Sequence, residues 1–370
     1  MKELLNYLPA GWEAKAKELG AMQRESGVIR DASTLLRLNM LYSTNNGSFQ
    51  MASMGLAMTE GIVISKAAAF NRIRKSWKWL RWMSKELCAA QGATIEKPAF
   101  LEGRQLKLVD ASDETTRGKN KSIWRLHYAF NLFEFQCSSM EITTNQEGER
   151  LARHEVKEKD IIIADRMYCT INGIAHVTAN KGDFVLRFRS KAFQLYDETG
   201  NRIALLPLLR ELKPFKNTDV RCYYKLPDGN LRPLRIVAMK KDSKAIEESK
   251  RKMARKASKK QEKAAQADTI ELNEYIVLAT SLEYTNDQVL ELYRTRWQIE
   301  QVFHRLKTLF GYGDTPSKRD DTVKAWFYGK LLLAALSESI LKKMPFPPEL
   351  DRIFVNIVGT QFMERTVSDT

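Results

Sequence analysis

The densest grouping of chemically capable side chains lies between Tyr293 and Lys307, where the chain reads YRTRWQIEQVFHRLK. On a regular helix Tyr293, Arg296, Glu300 and Lys307 share an arc of about 60°, and Leu292, Ile299, Val302, Phe303 and Leu306 form the adjoining apolar stripe. One acid between two cations and a phenol can ligate a metal beside groups that hold phosphate. The same spacing equally suits an ordinary ion pair of Arg296 with Glu300 on an amphipathic helix. Two further acids bear on the choice: Asp110 in LVDAS and Asp165 in IIIADR, each in or after a run that reads as a strand. A carboxylate at the end of a buried strand is costly unless it is paired or binds a cation. Two strand aspartates and a helix glutamate would make a set of oxygen donors for hard divalent ions, the arrangement suited to phosphoryl transfer. Each aspartate alone also suits a cap or a turn.

The charge balance limits the partners. The 370 residues carry 60 Lys and Arg against 45 Asp and Glu, a formal charge of +15, which favours a polyanion. With 44% hydrophobic residues the chain can bury a core, so disorder throughout is excluded. The longest strongly apolar run, Leu331 to Leu336, is far short of the ~20 residues of a membrane span. The N-terminus MKELLNYLPAGWEAKAKE lacks an export signal pattern, so a cytoplasmic protein is expected, with no membrane partner. Cys88, Cys137, Cys169 and Cys222 are widely spaced without a C-x-x-C pair, which reads as reduced thiols in place of a zinc site.

Four zones must position these residues. Residues 10 to 90 read as helices. Ser48 to Glu60 and Ser65 to Leu80 form a helix, tight connection and helix, with Gly61 as the stop and Ser65 as the next cap. The second member carries Lys66, Arg72, Arg74, Lys75, Lys78 and Arg81, the composition of a helix-turn-helix reader, or equally of a solvated basic hairpin. Between 100 and 190 the strands Leu106 to Ser112, Trp124 to Phe135, Ser138 to Thr144, Ile161 to Arg166 and Phe184 to Arg189, with helical character at Tyr168 to Ala179, describe a mixed α/β sheet. Residues 190 to 270 read as an insertion with a β-like part and a long polar helix over Lys240 to Ala267. Its stretch from Lys240 to Lys263 has eleven Lys and Arg against four acids and is either a phosphate clamp or a solvated helix. A strand at Glu274 to Ser281 and a helix capped at Thr285 or Asn286 follow, and Phe327 to Leu341 reads as a packing or dimer helix.

The spacing Tyr293-x2-Arg296-x3-Glu300-x6-Lys307 matches without departure the Y-R-E-K signature of bacterial insertion-sequence DDE transposases, in the group named after insertion sequence four. VDAS at Asp110, RLHY at Arg125 to Tyr128 and IIIADRMY at Asp165 also resemble that family in order and separation, over residues 30 to 320. The resemblance implies an α/β fold: a ribonuclease-H-like mixed-sheet catalytic core with a β-rich insertion and an α-helical N-terminal DNA-binding domain. The expected division is 1–99 for the helical domain, 100–189 and 271–320 for the two parts of the core, 190–270 for the insertion, and 321–370 for a C-terminal helical segment. By similarity Asp110, Asp165 and Glu300 would hold two Mg²⁺ ions, with Mn²⁺ as a substitute. Tyr293, Arg296 and Lys307 would hold DNA phosphates, Trp297 would stack on DNA or support the core, and Arg72 and Lys75 would lie on the duplex. The partners implied are double-stranded DNA, as inverted-repeat ends and target, and a second copy in a homodimer on the DNA. His304 and His127 are read as bystanders. The alternatives from other classes are a decayed DNA-binding protein and a nuclease of the same fold that cuts without joining.

Overall fold

The computed structural model describes residues 2–22, 27–90, 96–116, 122–134, 136–189, 193–260, 267–309, 311 and 314–341. Residues 342–370 of the expected C-terminal segment, residues 261–266 of the basic stretch, and Phe135 lie outside the described residues.

Helices come first: α1 (Lys2–Leu5), α2 (Trp12–Glu18), α3 (Ala32–Thr44), α4 (Phe49–Glu60), α5 (Lys66–Ile73) and α6 (Trp77–Ala90). Their ends are set by local chemistry. Ser48 and Ser65 accept from the amides of Met51 and Ala68, and Gly61 takes the left-handed conformation that closes α4, φ 66°. The helix expected over Ser65 to Leu80 is two helices. Ser76 is fully buried at the break, where its hydroxyl donates to the Arg72 carbonyl at 3.0 Å and accepts from Asn39 Nδ2 at 3.1 Å. That bond to α3 is a tertiary constraint, so the break could not be read from local propensity. It also redistributes the basic residues. Lys75 and Lys78 stay exposed, whereas Arg74 turns toward Asp321, 3.5 Å away.

The strands are β1 (Gln105–Thr116), β2 (Ser122–Asn131), β3 (Gln136–Thr144), β4 (Asp160–Ala164), β5 (Asp183–Arg187), β6 (Leu195–Tyr196), β7 (Arg202–Ile203), β8 (Asn217–Lys225), β9 (Leu231–Lys240), β10 (Tyr275–Thr280) and β11 (Asp314–Thr315). They form one sheet in the order β3-β2-β1-β4-β5-β10-β9-β8-β6-β7, with β11 beside β1. β1, β4 and β5 are mutually parallel; β2 runs antiparallel to β1 and β3 antiparallel to β2, a meander in which β3 returns to the direction of β1. The order 3-2-1-4-5 with that polarity is a ribonuclease-H-like core. The β-like part of the insertion extends the same sheet, because β9 pairs antiparallel with β10.

The remaining helices are α7 (Ile171–Ala179), α8 (Leu205–Leu209), α9 (Ser243–Lys260), α10 (Ala267–Leu272), α11 (Asn286–Arg294), α12 (Trp297–Leu309) and α13 (Asp320–Leu341). The basic helix thus begins later than expected, since Lys240 ends β9 and Asp242 accepts from the Ala245 amide at 2.6 Å. β4 is buried at every position, as a central parallel strand covered on both faces must be. Leu108, Ile161 and Ile163 face a core shared with α3, α6, α11, α12 and α13, whereas Val109, Ile162 and Leu186 face a second core with α7 and α8. Helix α13 lies against α3 and α6; Trp326, Phe327 and Leu332 are buried there. Gly329 marks the closest approach, where a Cβ would collide with Ser43 of α3.

Candidate active site

Parallel strands place their functional groups at their C-terminal ends. The register aligns Val109 with Ala164, and Ala164 with Leu186, across β1, β4 and β5. The next residue on each chain is Asp110, Asp165 and Arg187, so acid, acid and cation stand side by side at strand spacings of about 4.8 Å. Asp110 Oδ1 accepts its neighbour's Ala111 amide at 2.8 Å. Asp165 leaves β4 in an Asx turn, its Oδ1 accepting from the Met167 amide at 2.7 Å.

Glu300 arrives from α12. The expected single helix over Tyr293 to Lys307 is interrupted, because α11 ends at Arg294 and α12 starts at Trp297. Thr295 and Arg296 bond back three residues, to the carbonyls of Leu292 and Tyr293, and the buried Thr295 hydroxyl donates to Leu292 O at 2.7 Å. This tight turn advances the chain by more than 100° per residue. The wheel is therefore approximate, yet the grouping survives: Arg296 lies over the Tyr293 ring at 5.9 Å and stands 2.5 Å from Glu300 and 3.3 Å from Asp110. Thr285 caps α11 through a reciprocal box with Gln288, and Leu292, Ile299, Phe303 and Leu306 are buried as the stripe requires.

Asp110, Asp165, Glu300, Tyr293 and Arg296 thus meet in one place. Lys307 lies two turns along α12 and pairs with Glu114 at 3.4 Å. Glu114 is only 2% exposed and also accepts from Ser112 Oγ at 2.8 Å. Trp297 is half-buried at the start of α12 and His304 is exposed. His127 is buried in the sheet with Thr143 Oγ1 at 2.9 Å from Nε2. Arg72 and Lys75 belong to the helical layer at α5 and its end, outside this cluster.

The acids crowd one another. Burial pushes Asp110 up to about 6; the Ala111 amide and Arg296 oppose this, while Asp165 and Glu300 add to it. Glu149 is a fourth acid that the sequence reading missed. Burial pushes it up to about 7, against the pull of Arg125, with Asp165, Asp110 and Asp113 raising it further. Arg125, from the RLHY segment, holds Asp113 through Nε at 2.6 Å and approaches Glu149 at 3.6 Å. The Tyr168 hydroxyl is buried near the same carboxylates and has no hydrogen-bond partner among the described residues. Glu149 lies in a stretch between β3 and β4 with no periodicity, so only its proximity to IIIADR in the chain could have flagged it.

A divalent cation fits the chemistry of this cluster. Three carboxylates supply hard oxygen donors, and Arg296, shared between Asp110 and Glu300, shows that they favour a positive charge among them. Among the described residues no three acidic, histidine or cysteine side chains stand close enough together to hold a metal ion as they are. Glu300, on an exposed helix turn, is the member with room to move.

Comparison with known proteins agrees with this geometry. A family model described as Transposase DDE domain matches residues 104–336, which spans β1 to α13. A putative transposase of insertion sequence element IS186A from Escherichia coli K12 is 28% identical over 366 residues, covering 93% of this chain and 98% of that protein. The transposase of element IS421 from Escherichia coli is 28% identical with the same coverage. A transposase of element IS231F from Bacillus thuringiensis subsp. israelensis is 27% identical over 39% of this chain and 30% of its own length. DDE transposases act on DNA with divalent metals. No helix among the described residues is long and apolar enough to cross a membrane. With a ribonuclease-H-like sheet, acids at its strand ends and the intact Y-R-E-K spacing, the chain belongs to the DDE transposases of bacterial insertion sequences, in the insertion-sequence-four group, enzymes that cleave DNA and transfer its strands.

Proposed function

We propose that this transposase binds the terminal inverted repeats of its own element, cleaves the DNA there and joins the freed 3′ ends to target DNA in a cut-and-paste reaction. The observation that carries this reading is the meeting of Asp110 and Asp165 at adjacent strand ends with Glu300 and Arg296 from α12. Asp110, Asp165 and Glu300 would hold two Mg²⁺ ions, or Mn²⁺ in their place. When bound, such ions activate the attacking oxygen and stabilise the leaving one.

The protein's own part is positioning. Arg296 moves from the acids to a phosphate oxygen of the strand, and the Tyr293 ring beneath it keeps the guanidinium level. Lys307 neutralises a phosphate further along the same strand. Attack by water on phosphorus breaks the bond to the 3′ oxygen, leaving a 3′ hydroxyl and a 5′ phosphate. That hydroxyl then attacks the opposite strand to form a hairpin, which a second water opens before joining. No step needs a covalent bond to the enzyme. Lys75 and Arg72 would contact the element's end as a duplex, with Trp297 supporting the α12 turn or stacking on DNA. Two copies of the chain would pair the two ends, in the cytoplasm and on the nucleoid.

A supercoiled plasmid carrying the cognate ends tests the reading. Excision followed by insertion supports it; binding without cleavage, or cleavage without joining, overturns it.

A further inference from the structure

On the far side of Asp165 from Asp110, in the sheet order, the sheet and the insertion frame a cavity of about 190 Å³ lined by Arg166, Arg187, Arg189, Phe188, Tyr275 and their neighbours. Three arginines meet there because Arg166 follows Asp165 directly, Arg187 ends β5 one strand over, and Arg189 lies two residues beyond. Lys241 stands behind the wall, its Nζ 2.6 Å from Asn273 O and 3.0 Å from Ser249 Oγ.

The partners shown for these four side chains are all neutral. Arg187 donates to Tyr275 O at 2.7 Å, Arg166 to Asn273 Oδ1 at 3.4 Å, and Arg189 meets Met167 Sδ at 3.9 Å. The cations repel one another: Arg187 and Arg166 hold Lys241 down, after burial, to about 8, and burial with Arg166 and Arg296 lowers Arg187 to about 10. Phe188 and Tyr275 are buried and form an apolar wall, which keeps the local dielectric low and makes the uncompensated charge costly. An anion with several acceptor oxygens would satisfy the guanidinium forks together. The volume is below the ≈ 300–1,000 Å³ of typical small-molecule sites and suits one phosphate group with a few waters.

We propose that this cavity seats a backbone phosphate of the DNA strand passing the Asp110–Asp165 row, so that the strand is held on both sides of the acids. The inference rests on the chain's action on DNA and adds a second anchor, built by β5 and the insertion, to the one on α11 and α12.

The test uses the full chain and a short labelled oligothymidylate, chosen because its few contacts make the loss of one visible, with anisotropy read across a salt series. Arg189→Gln and Arg166→Gln, both at exposed positions lining the cavity, should each weaken binding about tenfold. Each should also flatten the log–log salt slope by about 0.7, the single-strand value for one phosphate contact. Arg189→Lys should recover part of the affinity. Arg221→Gln, on an exposed pair with Glu283, should change neither quantity. Unchanged affinity and slope in both Arg189→Gln and Arg166→Gln overturn the proposal. Failure of the transposition reading looks different: wild type that cleaves no plasmid in Mg²⁺, whatever the salt slopes show.

Discussion

Two basic regions flank the acid row, and they are in opposite electrostatic states. At the α11–α12 turn and along α12 the two cations of the site are already engaged: Arg296 is shared between Asp110 and Glu300, and Lys307 sits on the buried Glu114. After β4 and β5 and in the insertion, Arg166, Arg187, Arg189 and Lys241 have only neutral hydrogen-bond partners among the described residues. The difference shows that net charge is a poor guide to where an anion binds. Cations paired with acids must exchange partners before they hold phosphate, whereas unpaired ones gain from phosphate at once. The paired region suits a switch between acid-bound and DNA-bound states; the unpaired one suits a standing anchor.

Removing the acids probes the first region hardest. Asp110→Ala or Asp165→Ala should lower Mg²⁺-dependent cleavage by about 10³-fold or more, with end binding retained; gel assays on bound DNA read both quantities. Arg296→Ala should cost about 10²-fold in cleavage. Because Arg296 holds Asp110 down, its loss should also move the acidic limb of the pH profile to higher pH. A limb that stays in place would show that Asp110 does not feel the guanidinium. Glu114→Gln sharpens the contrast by releasing Lys307: the duplex salt slope should steepen by up to about 0.9, the value for one contact, measured by the same anisotropy titration.

The smallest effect expected is on stability. Burial raises the Glu149 carboxyl in the folded protein to about 7, from its ordinary value of 4.5. Between those values the folded state binds more protons than the unfolded one, so its contribution to stability falls as pH rises through that window. Glu149→Gln should therefore raise Tm by about 2 °C at pH 8 and leave it unchanged at pH 4, as thermal melts would show.

What was legible in the chain was whatever local chemistry decides. The isoleucines of IIIA announced a buried strand, and Ser65 and Gly61 announced helix ends. The Y-R-E-K spacing brought Tyr293, Arg296 and Glu300 together even though Thr295 breaks the helix between them. The rest depends on contacts between distant segments. Ser76 ends a helix because Asn39 reaches it, Lys307 is paired because β1 carries Glu114 beneath α12, and Arg187 stands beside Asp165 through sheet register. Glu149 becomes a member of the acid cluster only once β2 brings Arg125 beside it.

Glu300 is where the bland and the catalytic readings part most cleanly, since it is exposed and already makes an ion pair with Arg296. The most direct measurement is cleavage of bound element-end DNA in Mg²⁺ by wild type and Glu300→Ala, at equal occupancy. The account predicts that cleavage is lost in the variant while binding persists. Cleavage by Glu300→Ala at the wild-type rate would contradict it, leaving Glu300 as one half of a helix ion pair.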